Sequence, residues 1–288
     1  MNAVLSLRTP RSARVLAVTL LWITRTLTSL LVVCPVLFAI SGSGLVSGPE
    51  RDAVLFRPGS LLLLELVRAG AALLGSALKS SLVLGVSCAV LGLAPLGLAL
   101  DLLQSQDADA LAARFARAVR RFPGFLVLSG ITLLAQGAFL LAASLLGTAL
   151  SAALSGRDER VLTLTPIVLF GVALLGCAWL GALLDVARGL LVERDLHARA
   201  ALLEALGIVR DEPLAVLVGF YPSVAGSLFA WLCAAWLLTK IDLAQPTTRG
   251  VALAFVVHQS AVLLSITLRV RWLGAAIALG ARAESARD

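Results

Sequence analysis

Apolar residues run in long blocks along this chain, at roughly 15–41, 59–78, 80–104, 123–152, 162–188, 213–240 and 250–279. About 20 residues of helix cross roughly 30 Å of hydrocarbon, so each block is long enough to be a candidate span. Loop charge selects among the seven. With 59–78 left out and the N-terminus inside, thirteen Lys and Arg residues fall in cytoplasmic segments and seven in outer loops. Counting 59–78 as a crossing would export the two Arg-rich connectors, 105–122 and 189–212, against the positive-inside rule. The pattern therefore predicts an all-α, polytopic membrane bundle of six transmembrane helices with both termini cytoplasmic, a single integral domain over 1–288. The first block is interrupted by Arg25 and is long for a signal peptide, so it reads as a retained span.

The remaining segments carry patterns of their own. Segment 59–78 holds Glu65 and Arg68 on one helical face and reads as an outer amphipathic or re-entrant segment, a tilted seventh span being the alternative. In the connector 107–122, Leu111, Phe115, Ala118 and Phe122 step by 4, 3 and 4, with Arg114, Arg117 and Arg121 on the other side. That spacing predicts a cytoplasmic elbow helix whose Arg114, Arg117, Arg120 and Arg121 lie at anionic lipid phosphates. Asp107 and Asp109 would cap its start, and Pro123 would re-set the chain at the next span. The second elbow, 195–212, has Leu202, Leu206 and Val209 at helical spacing before Pro213.

The two connectors belong to a longer similarity. Gly97-Leu-Ala-Leu-Asp101 matches Gly181-Ala-Leu-Leu-Asp185, and Val119-Arg-Arg-Phe-Pro123 matches Val209-Arg-Asp-Glu-Pro213. Asp to Pro is 22 residues in the first copy and 28 in the second, so a parallel repeat with an insertion is predicted. On Ala110 to Pro123 and Ala200 to Pro213, the chain resembles bacterial six-span inner-membrane proteins, including the membrane domain of glycerophosphodiester phosphodiesterases. The likeness is architectural and implies a bacterial inner membrane. The phosphodiesterase barrel has no counterpart here, so no activity is implied.

Composition narrows the chemistry. Of 288 residues 59% are hydrophobic and 14% charged, with mean hydropathy +0.97, too little polar surface for a soluble domain. The net charge of +7 fits positive-inside loops and an anionic leaflet, and no basic stripe interleaved with aromatics suggests nucleic acid. Cys34, Cys88, Cys177 and Cys233 each lie in an apolar run without metal-ligand or redox spacing. No metalloprotease, nucleotide-loop or hydrolase-elbow motif is present, so neither catalysis nor a metal or other cofactor is expected.

Intramembrane polar residues are then the candidate sites. Arg25, Asp101, Asp185, Arg269 and Arg271 are expected to form a charge network locking the helices, or alternatively an anion or lipid-headgroup site. Gln136, His258 and Gln259 are interhelical hydrogen-bond partners or line a path. Two functions follow. One is a non-catalytic structural or accessory protein that organises lipid or a membrane complex, with membrane lipids, a membrane-protein partner or a second copy as its partners. The other is a small transporter or channel for a lipid or small solute.

Overall fold

The computed structural model describes residues 10–42, 71–104, 110–153, 159–241 and 247–285. Among them the order is α1 (Arg11–Gly42), α2 (Ala71–Leu91), α3 (Leu93–Gln104), α4 (Leu111–Ala153), α5 (Glu159–Arg194), α6 (Ala198–Asp211), α7 (Pro213–Leu238) and α8 (Thr248–Ser285), with no strand. Six candidate spans are long and apolar enough to cross a membrane: Arg11–Phe38, Gly75–Gln104, Leu111–Ala153, Leu164–Arg194, Pro213–Leu238 and Thr248–Ala283. Large apolar side chains stand exposed along them, among them Phe38 at 75%, Leu134 at 76% and Leu214 at 73%. Water would oppose a patch of that extent, whereas lipid accepts it. The chain is a multi-pass, all-helical membrane protein.

Prolines explain where the helices break. The second span is two helices, parted at Gly92. Pro95 has no N–H, and its ring opposes the carbonyl four residues earlier, that of Leu91, where α2 ends. Pro123 and Pro213, matched in sequence, behave differently. Pro213 starts α7 after Glu212 leaves helical geometry at φ −121° and ψ 52°, the α region being disfavoured for a residue before proline. Pro123 instead lies inside α4, which runs unbroken for 43 residues, about 64 Å at 1.5 Å per residue. The first elbow is thus an extension of its span, and the expected boundary at Pro123 is corrected. The second elbow is a separate helix, α6. Most of the predicted outer segment, residues 59–70, lies outside the described residues, as do Asp107 and Asp109; residues 71–78 begin α2.

The chain divides into two compact units. One comprises Leu103–Phe220 with the segment from Trp272 onward. In it α4 packs along α5, and α6 packs against both. The late part of α5 is its hub: Ala182, Val186, Ala187, Leu190, Leu191 and Val192 are all buried, which places protein on every side of the helix. Glycines admit the close contacts. A side chain at Gly189 would meet Ile277 at 3.4 Å, and one at Gly176 would run into the Phe139 ring. The other unit comprises Pro10–Leu102 and Tyr221–Arg271, with α1 packed along α2.

Candidate functional site

The most buried charge in the first unit is Asp185, fully inaccessible on α5. Its Oδ1 lies 3.6 Å from Nη1 of Arg188, one turn further along the same helix. Its Oδ2 accepts a 2.8 Å hydrogen bond from the Trp272 indole N–H of α8. Arg188, 7% exposed, also donates from Nη2 to the Ser129 hydroxyl of α4 at 2.7 Å. Three helices are therefore joined through one carboxylate and one guanidinium. A buried ion pair is weak evidence for net stability, yet removing one partner strands the other in a low dielectric. Trp272, 1% exposed, fixes the carboxylate from the far side, and Phe220 packs edge-on against its ring at 5.2 Å and 70°. One oxygen of Asp185 is thus held by the indole N–H and the other faces the Arg188 guanidinium, an arrangement suited to locking helices.

A second group of contacts lies where α5 ends. Arg194 pairs with Glu204 of α6 and donates to the Gly280 carbonyl of α8 at 2.8 Å. Asp195 follows in the left-handed region at φ 51°, where Asp is among the few non-glycine residues tolerated. It accepts a 3.0 Å bond from Nε of Arg121, with Arg120 at 3.6 Å. The Arg121 hydrogen bond, which outweighs the group's desolvation, holds its carboxyl below its ordinary 3.8, and the charges of Arg121, Arg120 and His197 add smaller contributions in the same direction. A lowered carboxylate pKa contributes stability above the unfolded value and loses it as pH falls through the folded one. Asp195 is 59% exposed, so Asp195→Asn is expected to cost under about 1 kcal/mol near neutrality. In thermal unfolding scans that difference should vanish below the lowered pKa.

The arginines of the first elbow are placed differently from the lipid-facing arrangement expected. Arg114 is buried at 7% exposure and Arg117 is half-buried; Arg121 turns inward to Asp195, leaving Arg120 exposed. The apolar stripe faces the other way, with Leu111 at 57% and Phe115 at 52% exposure, while Ala118 is buried. The outward-facing stripe is what an interfacial helix requires; the difference is that Arg114 and Arg121 turn toward protein, where intramembrane charges find partners, instead of to lipid phosphates. On α6 the buried face is Ala201, Ala205, Ile208 and Val209, against the expected Leu202, Leu206 and Val209. Alanines let α6 lie close to α5, and Leu206 turns out at 46% exposure.

The predicted charge network divides between the units. Asp185 belongs to the first and takes Arg188, which closes the 162–188 block and is its i+3 neighbour on the helix, a spacing that marks it as a partner. Asp101 (3% exposed), Arg25, Arg269 and Arg271 belong to the second. There Arg25 is exposed and sits 5.9 Å above the Trp231 ring. Arg269 is half-buried and Arg271 exposed on α8. Nothing in the sequence singled out Trp272 or Ser129, since an indole or hydroxyl in an apolar run carries no spacing signal.

Each of the three candidate path residues has a neighbour on another helix. Gln136 donates from Nε2 to the Cys177 carbonyl at 2.9 Å, joining α4 to α5. Gln259 accepts from the Trp22 indole at 3.0 Å, joining α8 to α1. His258 packs edge-on against Trp231 of α7 at 5.3 Å. Interhelical hydrogen bonds in membranes average about 0.6 kcal/mol and reach about 1.7. Gln136→Leu is therefore expected to lower stability by about that range in detergent unfolding, without loss of assembly.

No family model matches the chain, and neither the curated proteins nor the solved structures yield a significant match.

Proposed function

We propose that this chain is a non-catalytic structural or accessory protein of a bacterial inner membrane, with cytoplasmic termini, organising a membrane complex or its lipid. The observation that carries this reading is the use of Gln136 and Gln259 in hydrogen bonds between helices. Side chains lining a path have to remain available to solute or water, whereas these two amides are spent on holding neighbouring helices. The burial of both Asp101 and Asp185, at matched sequence positions, supports the parallel repeat. The Arg-rich ends of α4 and α5 support a cytoplasmic placement by the positive-inside rule.

Flux measurements on reconstituted vesicles test the proposal. Wild type and the Gln136→Leu/His258→Leu double variant are both expected to leave ion, small-solute and labelled-phospholipid movement at the level of empty vesicles. Faster movement of any probe through wild type, lost in the folded double variant, would establish transport and overturn the reading.

A further inference from the structure

The geometry points to the Arg25–Trp231–His258 face of the second unit as a docking surface for a transmembrane helix of another protein that carries an aspartate or glutamate at mid-membrane. The inference rests on the accessory reading and names the chemistry of its partner.

Arg25 is 14 residues from Arg11 and 17 from Gly42, the two ends of α1. At 1.5 Å per residue it stands at least about 20 Å from either end, well inside the hydrocarbon. Its neighbours hold it there without neutralising it. Its guanidinium lies over the face of Trp231, a contact that orients the cation but supplies no acceptor. Among the described residues no carboxylate or carbonyl oxygen takes a hydrogen bond from it. His258 packs against the same indole, is likewise exposed, and has no hydrogen-bond partner among the described residues. One turn before Arg25, Trp22 is tied to Gln259, the neighbour of His258, so the patch is braced across α1, α7 and α8. A cation and an imidazole are thus displayed together on a rigid surface, where ionisable side chains ordinarily pair.

Depth selects the occupant. Lipid phosphates and soluble anions keep their charge at the interface, about 15 Å from the bilayer centre. A carboxylate fixed to a transmembrane helix is delivered at the depth of Arg25 by its own span. A second copy of this chain offers no match among the described residues. The carboxylates in its candidate spans are Asp101, Asp185 and Glu193, all toward helix ends, the first two only 3% and 0% exposed. Charge complementarity therefore asks for a different protein.

The test uses the full chain in phosphatidylcholine vesicles with a labelled Leu/Ala transmembrane peptide bearing one central Asp, and the same peptide with Leu there. Energy transfer from a donor on the protein should report Asp-peptide association at a peptide-to-lipid ratio at least about tenfold lower than for the Leu peptide. Arg25→Gln should abolish that preference and Arg25→Lys retain it. Arg25→Glu should instead select a peptide with a central Lys. Because Arg25→Lys keeps the charge and circular dichroism reports folding of every variant, loss of fold and loss of docking are separable. Equal association of the Asp and Leu peptides, or a preference that survives Arg25→Gln, would overturn the inference. So would displacement of the Asp peptide by oleate at equal membrane concentration, which would make the occupant an amphiphile. Arg25-dependent energy transfer between two labelled copies would make it a second copy, and equally overturn it. The vesicle flux measurement decides the accessory reading and takes nothing from Arg25, so the two fail separately.

Discussion

Asp185→Ala is expected to destabilise the protein by about 3–5 kcal/mol, the largest effect of any substitution considered. The carboxylate is wholly buried, and its removal leaves the Arg188 guanidinium inside the protein without that counter-charge. The Trp272 N–H loses its acceptor at the same time. An unsatisfied buried donor adds about 1–3 kcal/mol where it is not rescued by water. Asp185→Asn keeps a carbonyl oxygen for the indole and is expected to lose less. The Asp185→Ala/Arg188→Met double variant should recover part of the loss, since well-packed apolar residues replace buried ion pairs at little net cost. Thermal unfolding in mild detergent reads these three and the Arg188→Met single variant. A double variant as unstable as the sum of its single changes would show that the pair is not coupled.

Gly219→Ala is expected to be the second most damaging change, by about 1–3 kcal/mol. An added Cβ would stand 2.8 Å from Cζ3 and 3.2 Å from Cε3 of Trp272. Elsewhere a close neighbour can swing aside, as the Leu191 methyl near Gly124 can. The indole cannot: it is buried, bonded through its N–H to Asp185, and flanked by Phe220. Gly124→Ala is therefore expected to be far milder, although its nearest atom is 2.7 Å away. Equal losses at the two glycines in detergent melts would show that Trp272 is not held as described.

The legible part of this molecule was the part written in long apolar runs. The six spans are present within a few residues for most of their ends, because hydrocarbon thickness imposes a length that composition reveals. Where the reading failed, the missing quantity was what lies beside a polar face. The period of Leu111 and Phe115 turns them outward as expected, but it cannot show that Arg114 and Arg121 turn to protein and not to lipid phosphates. Pro123 and Pro213 look alike in sequence, yet only Glu212 leaves the helix before its proline. The aspartate at 185 was legible as a costly intramembrane charge. Its partners were not, since the choice of Trp272 and Ser129 depends on which helices lie beside α5.

The central claim is that the polar side chains within the spans join helices and line no aqueous path. Cys177 tests it most directly, because its own backbone carbonyl receives the Gln136 hydrogen bond and its Sγ lies 3.8 Å from the Gln136 carbonyl. Thiols react with a charged, membrane-impermeant methanethiosulfonate only as thiolate, in water. With Cys34, Cys88 and Cys233 replaced by alanine, Cys177 in intact vesicles is expected to stay unmodified until the protein is unfolded in strong detergent. Modification in intact vesicles at the rate of a water-exposed thiol would place water beside Gln136 and contradict the account.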